Sequence, residues 1–100
     1  MSDEFTPCDP GELLAQIGNG NLGAISGGRV TARPTGVTLP VGKGYAVTVD
    51  LAWNDTYTVR RVFTRADKVW IKGEMTDVYC DEVGEQAYRA SCFVNVDFPS

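Results

Sequence analysis

The sequence lacks histidine, Cys-x-x-Cys pairs and long apolar runs, and each absence excludes a class of function. Without histidine, the chain has neither the commonest general base nor the usual partner of a catalytic serine or cysteine. A zinc site built from cysteine and histidine is also not expected. No stretch of about 18 apolar residues is present, so no membrane-spanning helix is predicted.

Cysteine is scarce, with Cys8, Cys80 and Cys92 as an odd set of three. The first residues, MSDEFTPCDPGE, carry four acids and no base, unlike a secretory signal or a transit peptide. Both observations predict reduced thiols in the cytoplasm. Cys80 has no basic neighbour in the sequence that would activate it as a nucleophile, so a partly buried structural role is expected for it.

The chain has 100 residues, of which 43% are apolar, and this is enough for one domain that folds without cross-links. Residues 1–100 are therefore predicted to form a single domain, in which residues 1–9 are a loose tail. The 11 glycines predict many tight turns between short strands.

The first element is predicted to be a helix over residues 10–18. Asp9 suits the N-cap, and Pro10 suits the first helical position. Gly18 or Gly20 is expected to end the helix, because glycine adopts left-handed backbone angles without steric cost.

Short strands are predicted next. Residues 21–26, NLGAIS, form the first, residues 27–28 provide a two-residue hairpin turn, and residues 29–33 return. A turn at residues 34–36 leads to the strand VTLPV, in which Pro40 indicates an edge position.

The clearest strand is YAVTVDLAW, whose large apolar residues alternate with small or polar ones. A turn that begins at Asn54 joins it to a second strand. A three-residue loop over 54–56 places nearly all large apolar side chains of the two strands on one face, whereas a two-residue loop does not. The preferred register pairs Trp53 with Tyr57, Leu51 with Val59 and Val47 with Phe63.

A turn at Ala66 and Asp67 leads to a strand over residues 68–74, KVWIKGE. The periodicity then changes to that of a helix over about residues 79–91, which Gly84 weakens. The last residues, FVNVDFPS, form a short strand or an extended tail. This order predicts an α+β fold with a short N-terminal helix, an antiparallel meander of five to six strands, and a C-terminal helix packed on the sheet.

Gly18, Gly20 and Gly23 match the G-x-G-x-x-G fingerprint of dinucleotide-binding loops. That fingerprint works when a strand leads into the glycines and a helix starts after them, so that the helix N-terminus meets the phosphates. Here the predicted order is reversed, with a helix before the glycines and a strand after them. A helix end followed by a turn is the preferred interpretation, and no cofactor is predicted.

Asp77, Asp81 and Glu85 are spaced to line one side of a helix, where carboxylates could hold Mg²⁺ or Mn²⁺. The alternative is that these acids cap the helix and complement its dipole, and this is favoured because no other segment offers ligands. Whether they bind a metal stays open at this point.

The formal net charge is −4, and it is unevenly distributed. Residues 56–72 hold five bases against one acid, whereas residues 74–85 hold five acids and no base. Strand alternation separates Arg60 and Arg61 onto opposite faces. The candidate contacts for a partner are the cations of residues 56–72 other than Arg61, together with one tryptophan. They are Arg60, Arg65, Lys68, Trp70 and Lys72.

A sheet face with arginine and aromatic residues can stack nucleic-acid bases, so nucleic acid is one candidate ligand of the 57–72 surface. The overall negative charge opposes the approach of phosphates and favours a protein partner instead. Arginine and tryptophan supply much of the binding energy at protein interfaces. Pairing of two copies through an exposed sheet edge is a further expectation.

Three stretches, LLAQIGNGNLGAISGGRV, NDTYTVRRVFTR and VYCDEVGEQAYRASCF, resemble a group of small proteins from actinobacterial phages, prophages and related mobile elements. The resemblance covers residues 12–93. The group has no assigned activity, so the resemblance implies a setting, the cytoplasm of an infected bacterium, and no catalytic residues.

The expected function is therefore that of a non-enzymatic phage accessory protein. It would bind a host or phage protein, with host modulation or counter-defence as its role. The alternatives are a nucleic-acid-binding module and a nucleotide-binding protein with a pocket between the glycine segment and the C-terminal helix.

Overall fold

A computed structural model describes residues 5–92, and within them the chain folds as an α+β domain. Two helices precede a five-stranded antiparallel sheet, whose strands lie side by side in chain order, and a third helix packs on the sheet. The predicted fold class is confirmed. The strand or tail predicted for FVNVDFPS lies outside the described residues. The elements are α1 (Pro10–Ile17), α2 (Asn19–Ser26), β1 (Thr31–Arg33), β2 (Gly36–Gly42), β3 (Tyr45–Leu51), β4 (Tyr57–Arg65), β5 (Lys68–Val78) and α3 (Val83–Ser91).

Helix α1 begins and ends where the sequence predicts. The Asp9 carboxylate accepts a hydrogen bond from the backbone N–H of Gly11 at 3.0 Å, and Pro10 occupies the first turn. Gly18, with φ of 92°, ends the helix and donates its N–H to the Leu14 carbonyl. Asp9 at the N-terminus of the helix and Gly18 at its C-terminus therefore act as their residue types predict.

The strand predicted over residues 21–26 is wrong, because residues 19–26 form the helix α2. Leu22 and Ile25 are three residues apart, so a helix places both in the core. Gly27 takes left-handed angles, and the N–H of Gly28 bonds to the Leu22 carbonyl, which closes the helix. The two glycines end a helix instead of turning a hairpin.

The core lies between one face of the sheet and the three helices. Alternation along the strands directs one set of apolar side chains toward the helices. The register places Val37 opposite Val49 and Leu39 opposite Val47, and all four are fully buried. The helices contribute Leu13, Ile17, Leu22, Ile25, Val83, Ala87 and Ala90.

Helix α3 begins at Val83, later than the predicted residue 79, and residues 80–82 form a turn. Gly84 is buried where α3 crosses the junction between α1 and α2. A Cβ at Gly84 would lie 2.4 Å from the carbonyl oxygen of Ile17 and 2.7 Å from the Asn21 amide nitrogen. Glycine weakens a helix by propensity, but here its missing side chain permits the close packing. This contact also occupies the place predicted for a nucleotide pocket.

The β3–β4 register differs by two residues from the predicted one, although the predicted face is right. Leu51 pairs with Tyr57 and Val49 with Val59, which leaves a five-residue loop over 52–56. The Ala52 N–H donates to the Thr56 carbonyl at 2.7 Å and closes this loop. Trp53, predicted to pair with Tyr57, therefore sits in the loop and is 76% exposed.

The segment predicted as a loose tail is attached to the sheet over its described part. Phe5 forms a bridge to Ala52, and the N–H of Thr6 donates to the Leu51 carbonyl at 2.9 Å. The N–H of Cys8 donates to the Pro34 carbonyl at 2.9 Å. Residues 5–9 thus extend the sheet contacts before α1 begins.

The two edges of the sheet are unequal. β1 has three residues, shorter than the predicted 29–33, and pairs with β2 only up to Thr38. The edge position predicted from Pro40 is wrong for its strand, because β2 lies between β1 and β3. Pro40 itself lies beyond the last residue that β1 pairs, so its missing N–H costs no bond to β1. β5 has 11 residues and forms the other edge. No helix among residues 5–92 has the length and apolar character needed to cross a membrane.

Candidate functional site

The candidate site is the end of the β4–β5 hairpin, residues 63–72, which we call the distal hairpin. Ala66 and Asp67 form the predicted two-residue turn, and Arg65 pairs with Lys68 across it. The turn joining β2 to β3 lies at the same end, because Gly44 accepts a hydrogen bond from the Thr64 N–H at 2.8 Å. Two turns therefore meet at this end of the sheet.

A row of aromatic rings crosses three strands at this end. The Tyr45 and Phe63 rings have centroids 4.8 Å apart, and those of Phe63 and Trp70 are 5.8 Å apart. Tyr45 follows the alternation of Val47, so the row continues the helix-facing side of the sheet. Trp70 is 42% exposed, which leaves the outer end of the row open to a ligand.

β5 presents apolar side chains on both of its faces in this region. Val69 is 63% exposed and Ile71 is 56% exposed. Alternation directs both to the face opposite Trp70, so three consecutive apolar residues are open to solvent on an edge strand. Isolated exposed apolar residues are ordinary, whereas neighbouring ones such as Val69 and Ile71 on one face, with Trp70 on the other, make the strand a candidate interaction site.

Four cations lie at this end of the sheet: Arg65, Lys68 and Lys72 on the hairpin, and Lys43 in the β2–β3 turn beside it. Within residues 5–92 none of the four forms an ion pair, and Asp67 is the acid of the adjacent turn. Other arginines are used inside the molecule. Arg33 pairs with the buried Asp50 at 2.8 Å, and Arg89 pairs with Glu85 at 3.4 Å. The distal hairpin is thus a positively charged surface on a negatively charged protein.

Of the five predicted contact residues, the structure brings four together on the distal hairpin: Arg65, Lys68, Trp70 and Lys72. Arg60 lies further along β4, where its Nε is 2.6 Å from a carboxylate oxygen of Glu74 and its guanidinium is 5.1 Å from the centre of the Phe5 ring. These contacts hold Arg60 on the face without helices, so it is not part of the candidate site.

Arg61 is a structural residue. It is 8% exposed, and its Nε donates to the Ala90 carbonyl at 2.7 Å. One terminal nitrogen donates to the Cys92 carbonyl at 2.8 Å. The guanidinium therefore satisfies carbonyl groups at the C-terminus of α3, where the helix dipole also favours a positive charge.

The acids proposed as metal ligands do not share a helix face. Asp77 lies in β5, Asp81 in the turn before α3, and Glu85 in the first turn of α3. The late start of α3 removes the helical spacing on which the metal hypothesis depended. Among residues 5–92, no three acidic or thiol side chains are arranged to hold a metal ion.

A small cleft of about 180 Å³ lies at the opposite end of the sheet. Phe5 and Trp53 line it together with threonines, and Asp77 stands at its side. The Asp77 carboxylate accepts a long hydrogen bond, 3.5 Å, from the Asn54 amide. Among residues 5–92 the cleft brings no second charged group together with Asp77, so no catalytic assignment is made there.

The three cysteines are free thiols. Cys80 is exposed, so the partly buried position expected for it is wrong, because residue 80 falls in the turn before α3 and not inside a helix. Burial, followed by the nearby Asp9 and Glu12 carboxylates, raises the pKa of the Cys8 thiol above its usual range. Neither arrangement activates a thiolate nucleophile.

No family model, curated protein or solved structure matches this chain.

The residues that the sequence analysis missed are Val69, Ile71 and Lys43. For Val69 and Ile71 the sequence did offer a sign of exposure, because residues 68–72 are three apolar residues between two lysines. The alternation rule assigns half of a strand to the core, so it gives no sign that all of residues 68–72 are exposed. The exposure of all five positions follows from β5 being the edge strand among the described residues.

Proposed function

We propose that this protein is a non-enzymatic binding protein that recognises another protein through the distal hairpin. The observation that carries the proposal is that Val69, Trp70 and Ile71 are exposed on the edge strand, next to cations of the distal hairpin that form no ion pairs inside residues 5–92. Apolar anchors with a charged rim are typical of protein interfaces, and tryptophan is a frequent centre of binding energy.

We further propose a host or phage protein as the partner and the cytoplasm of an infected bacterium as the setting, as the sequence resemblance to small phage proteins implies. In that setting the protein would act by covering a surface of its partner, either to modulate host physiology or to block a defence system. Such a role is helped by a well-supported binding face, and the distal hairpin is joined to the β2–β3 turn by the Thr64–Gly44 hydrogen bond and by the Tyr45–Phe63 ring contact.

The test is affinity capture from infected bacterial cells with the wild-type chain and two variants of equal charge change. Lys68→Glu reverses a cation of the distal hairpin, and Arg29→Glu reverses an exposed cation on the connection between α2 and β1. We expect Arg29→Glu to capture as much of the partner as the wild type does. Lys68→Glu should capture at least tenfold less. Equal recovery by both variants, or recovery of no partner by the wild type, would overturn the proposal.

A second candidate is binding of single-stranded nucleic acid, favoured by the same cations beside an open aromatic row. It requires an affinity that falls steeply with salt, because each neutralised phosphate releases counterions. A mobility-shift assay at low salt with single-stranded DNA and RNA tests it. The absence of a shift would remove this candidate, and a shift that Lys68→Glu abolishes would favour it over the protein partner.

A further inference from the structure

We infer that the partner binds as an extended strand added to the outer edge of β5 over residues 68–72, which no other strand within residues 5–92 covers. The strand it adds would be an apolar segment flanked by acidic residues. The inference rests on the proposed function, because it names how the distal hairpin recognises its partner. Addition of a strand to an exposed sheet edge is a known mode of peptide recognition: the main chain supplies hydrogen bonds, and alternate side chains supply specificity.

The first argument is the direction of the backbone groups of β5. Arg65 and Lys68 flank a two-residue turn, so this pair exchanges both hydrogen bonds, and the next pair along the strands does not. The Thr64 N–H accordingly turns away to Gly44 at 2.8 Å. Val69, which faces Thr64, and Ile71, which faces Val62, therefore direct their N–H and C=O groups to the open edge.

The second argument is that the side chains of the same residues are open to an incoming strand. Val69 and Ile71 expose more than half of their surface on one face, and Trp70 exposes a large part of its ring on the other. An added strand would cover apolar side chains on both faces while pairing with the edge. Residues 68–72 are all exposed, so no element of the described chain stands in the way.

The third argument is charge. Lys68 and Lys72 bracket the apolar residues, and Arg65 and Lys43 lie at the same end of the sheet. An incoming strand with acidic residues on both sides of its apolar centre would meet these cations. A basic or neutral strand would leave them without partners.

A second copy of this chain is a poor occupant of the edge. If two β5 edges paired antiparallel around Trp70, Lys68 of one copy would face Lys72 of the other, and like charges directly opposite are destabilising. Regular pairing of a second copy cannot continue past Lys72, which is an extra residue of β5 between the pairs Val62–Ile71 and Arg61–Gly73. Bulges of this kind protect edges from extended pairing.

The experiment is selection of peptides from a random nine-residue library displayed on phage, with the full chain as bait. We expect enriched sequences in which apolar residues alternate around a centre flanked by Asp or Glu. The decisive pair of variants is Val69→Pro, which removes the outward N–H, and Val69→Thr, which keeps it. Proline is tolerated at an edge position whose N–H faces solvent, so the hairpin is expected to remain folded.

We expect Val69→Pro to lower the affinity for the selected peptides at least tenfold. Val69→Thr should lower it less than threefold. If Val69→Pro does not fold, Ile71→Pro against Ile71→Thr repeats the comparison at the next outward N–H. Lys68→Glu combined with Lys72→Glu should select peptides with basic flanks in place of acidic ones. Peptides that bind the proline and threonine variants equally, or a library that yields no sequence, would overturn strand addition.

The two proposals fail in different ways. If the captured cellular partner is lost with Lys68→Glu but retained by Val69→Pro, the distal hairpin binds a protein and the strand mode is wrong. If neither variant affects capture, the distal hairpin is not the binding surface. Sedimentation of the purified chain over a range of concentrations tests whether a second copy binds at the edge. A dimer that Val69→Pro converts to monomer would assign the edge to a second copy and overturn the inference.

Discussion

Arg60 and Arg61 lie on opposite faces of β4, and they bind different parts of the molecule. Arg60 pairs with Glu74 at 2.6 Å on the face without helices, whereas Arg61 donates to the Ala90 carbonyl at 2.7 Å on the helix side. The two residues account for much of the positive charge of the basic segment, yet both are bound internally. A count of charges along the sequence therefore overstates the basic surface.

Replacement of Arg61 should destabilise the protein, because it removes several charge-assisted hydrogen bonds to the end of α3. We expect Arg61→Ala to lower the free energy of unfolding by about 2–3 kcal/mol. Arg65→Ala, on the same strand but exposed, should change it by less than about 0.5 kcal/mol. Urea denaturation monitored by circular dichroism measures both. Equal stabilities of the two variants would show that the Arg61 contacts do not hold α3.

Two glycines in helices should respond to alanine in opposite directions. Gly84→Ala places a Cβ against the backbone of Ile17 and should destabilise by about 1–3 kcal/mol, since that backbone cannot move cheaply. Gly23, in α2, has no atom within 4 Å of the added Cβ. Gly23→Ala should therefore stabilise by roughly 0.4–1 kcal/mol through a less flexible unfolded chain. Thermal denaturation of the pair checks the signs, and a stable Gly84→Ala protein would contradict the close crossing.

Tyr57 should make stability depend on pH in alkaline solution. Burial is the main cause that raises the pKa of Tyr57 to about 12 from the ordinary value of 10.0, and its hydroxyl lies 2.7 Å from the Gln16 amide oxygen. The folded state therefore keeps its proton when the unfolded state loses it, and this contribution to stability is complete below pH 10 and is lost between about pH 10 and 12.

The measurement is urea denaturation of wild type and Tyr57→Phe across that pH range. We expect Tyr57→Phe to lose about 1 kcal/mol at neutral pH, from the missing hydrogen bond, and to show a weaker decline above pH 10. Parallel declines of the two proteins would assign the alkaline loss to other groups.

The thiols should react in the order of their exposure. Cys80 is exposed, whereas Cys8 is half-buried and has a raised pKa. A small maleimide at pH 8 should therefore modify Cys80 well before Cys8, as read by mass spectrometry of peptides. Cys80→Ser should abolish the fast phase. Fast modification that persists in this variant would place another thiol at the surface.

Local signals predicted the parts of the fold that depend on neighbouring residues. Asp9, Pro10 and Gly18 define α1 through capping and backbone preference, and Ala66 with Asp67 turns the β4–β5 hairpin. These signals act within a few residues, so they can be read without knowledge of the rest of the chain.

The parts that failed depend on distant packing. Gly20 and Gly23 lower the helix propensity of residues 19–26, but burial of Leu22 and Ile25 under the sheet and α3 favours the helix. The observed β3–β4 register differs by two residues from the predicted one. Asn54 accepts hydrogen bonds from the Thr56 N–H and hydroxyl, and these bonds favour a loop longer than the predicted three residues. Side-chain bonds within a loop are not visible in strand alternation.

The sequence predicted most of the residues of the candidate site, but not which of them lie together or how exposed they are. Lys68, Trp70 and Lys72 were identified from charge and aromatic content, and they do lie together. Arg60 was included because it is close in sequence, and it lies elsewhere. Exposure of Val69 and Ile71 follows from the position of β5 in the strand order, which no local pattern supplies.

Helix α3 contacts both N-terminal helices and the sheet, and it follows all of them in the chain. During translation the hairpins can therefore form as they leave the ribosome, while the apolar side of the sheet waits for the segment around Val83. Until the segment that forms α3, Val83–Ser91, is free to pack, the nascent chain carries an open apolar face, and such a face makes incompletely folded chains prone to aggregate.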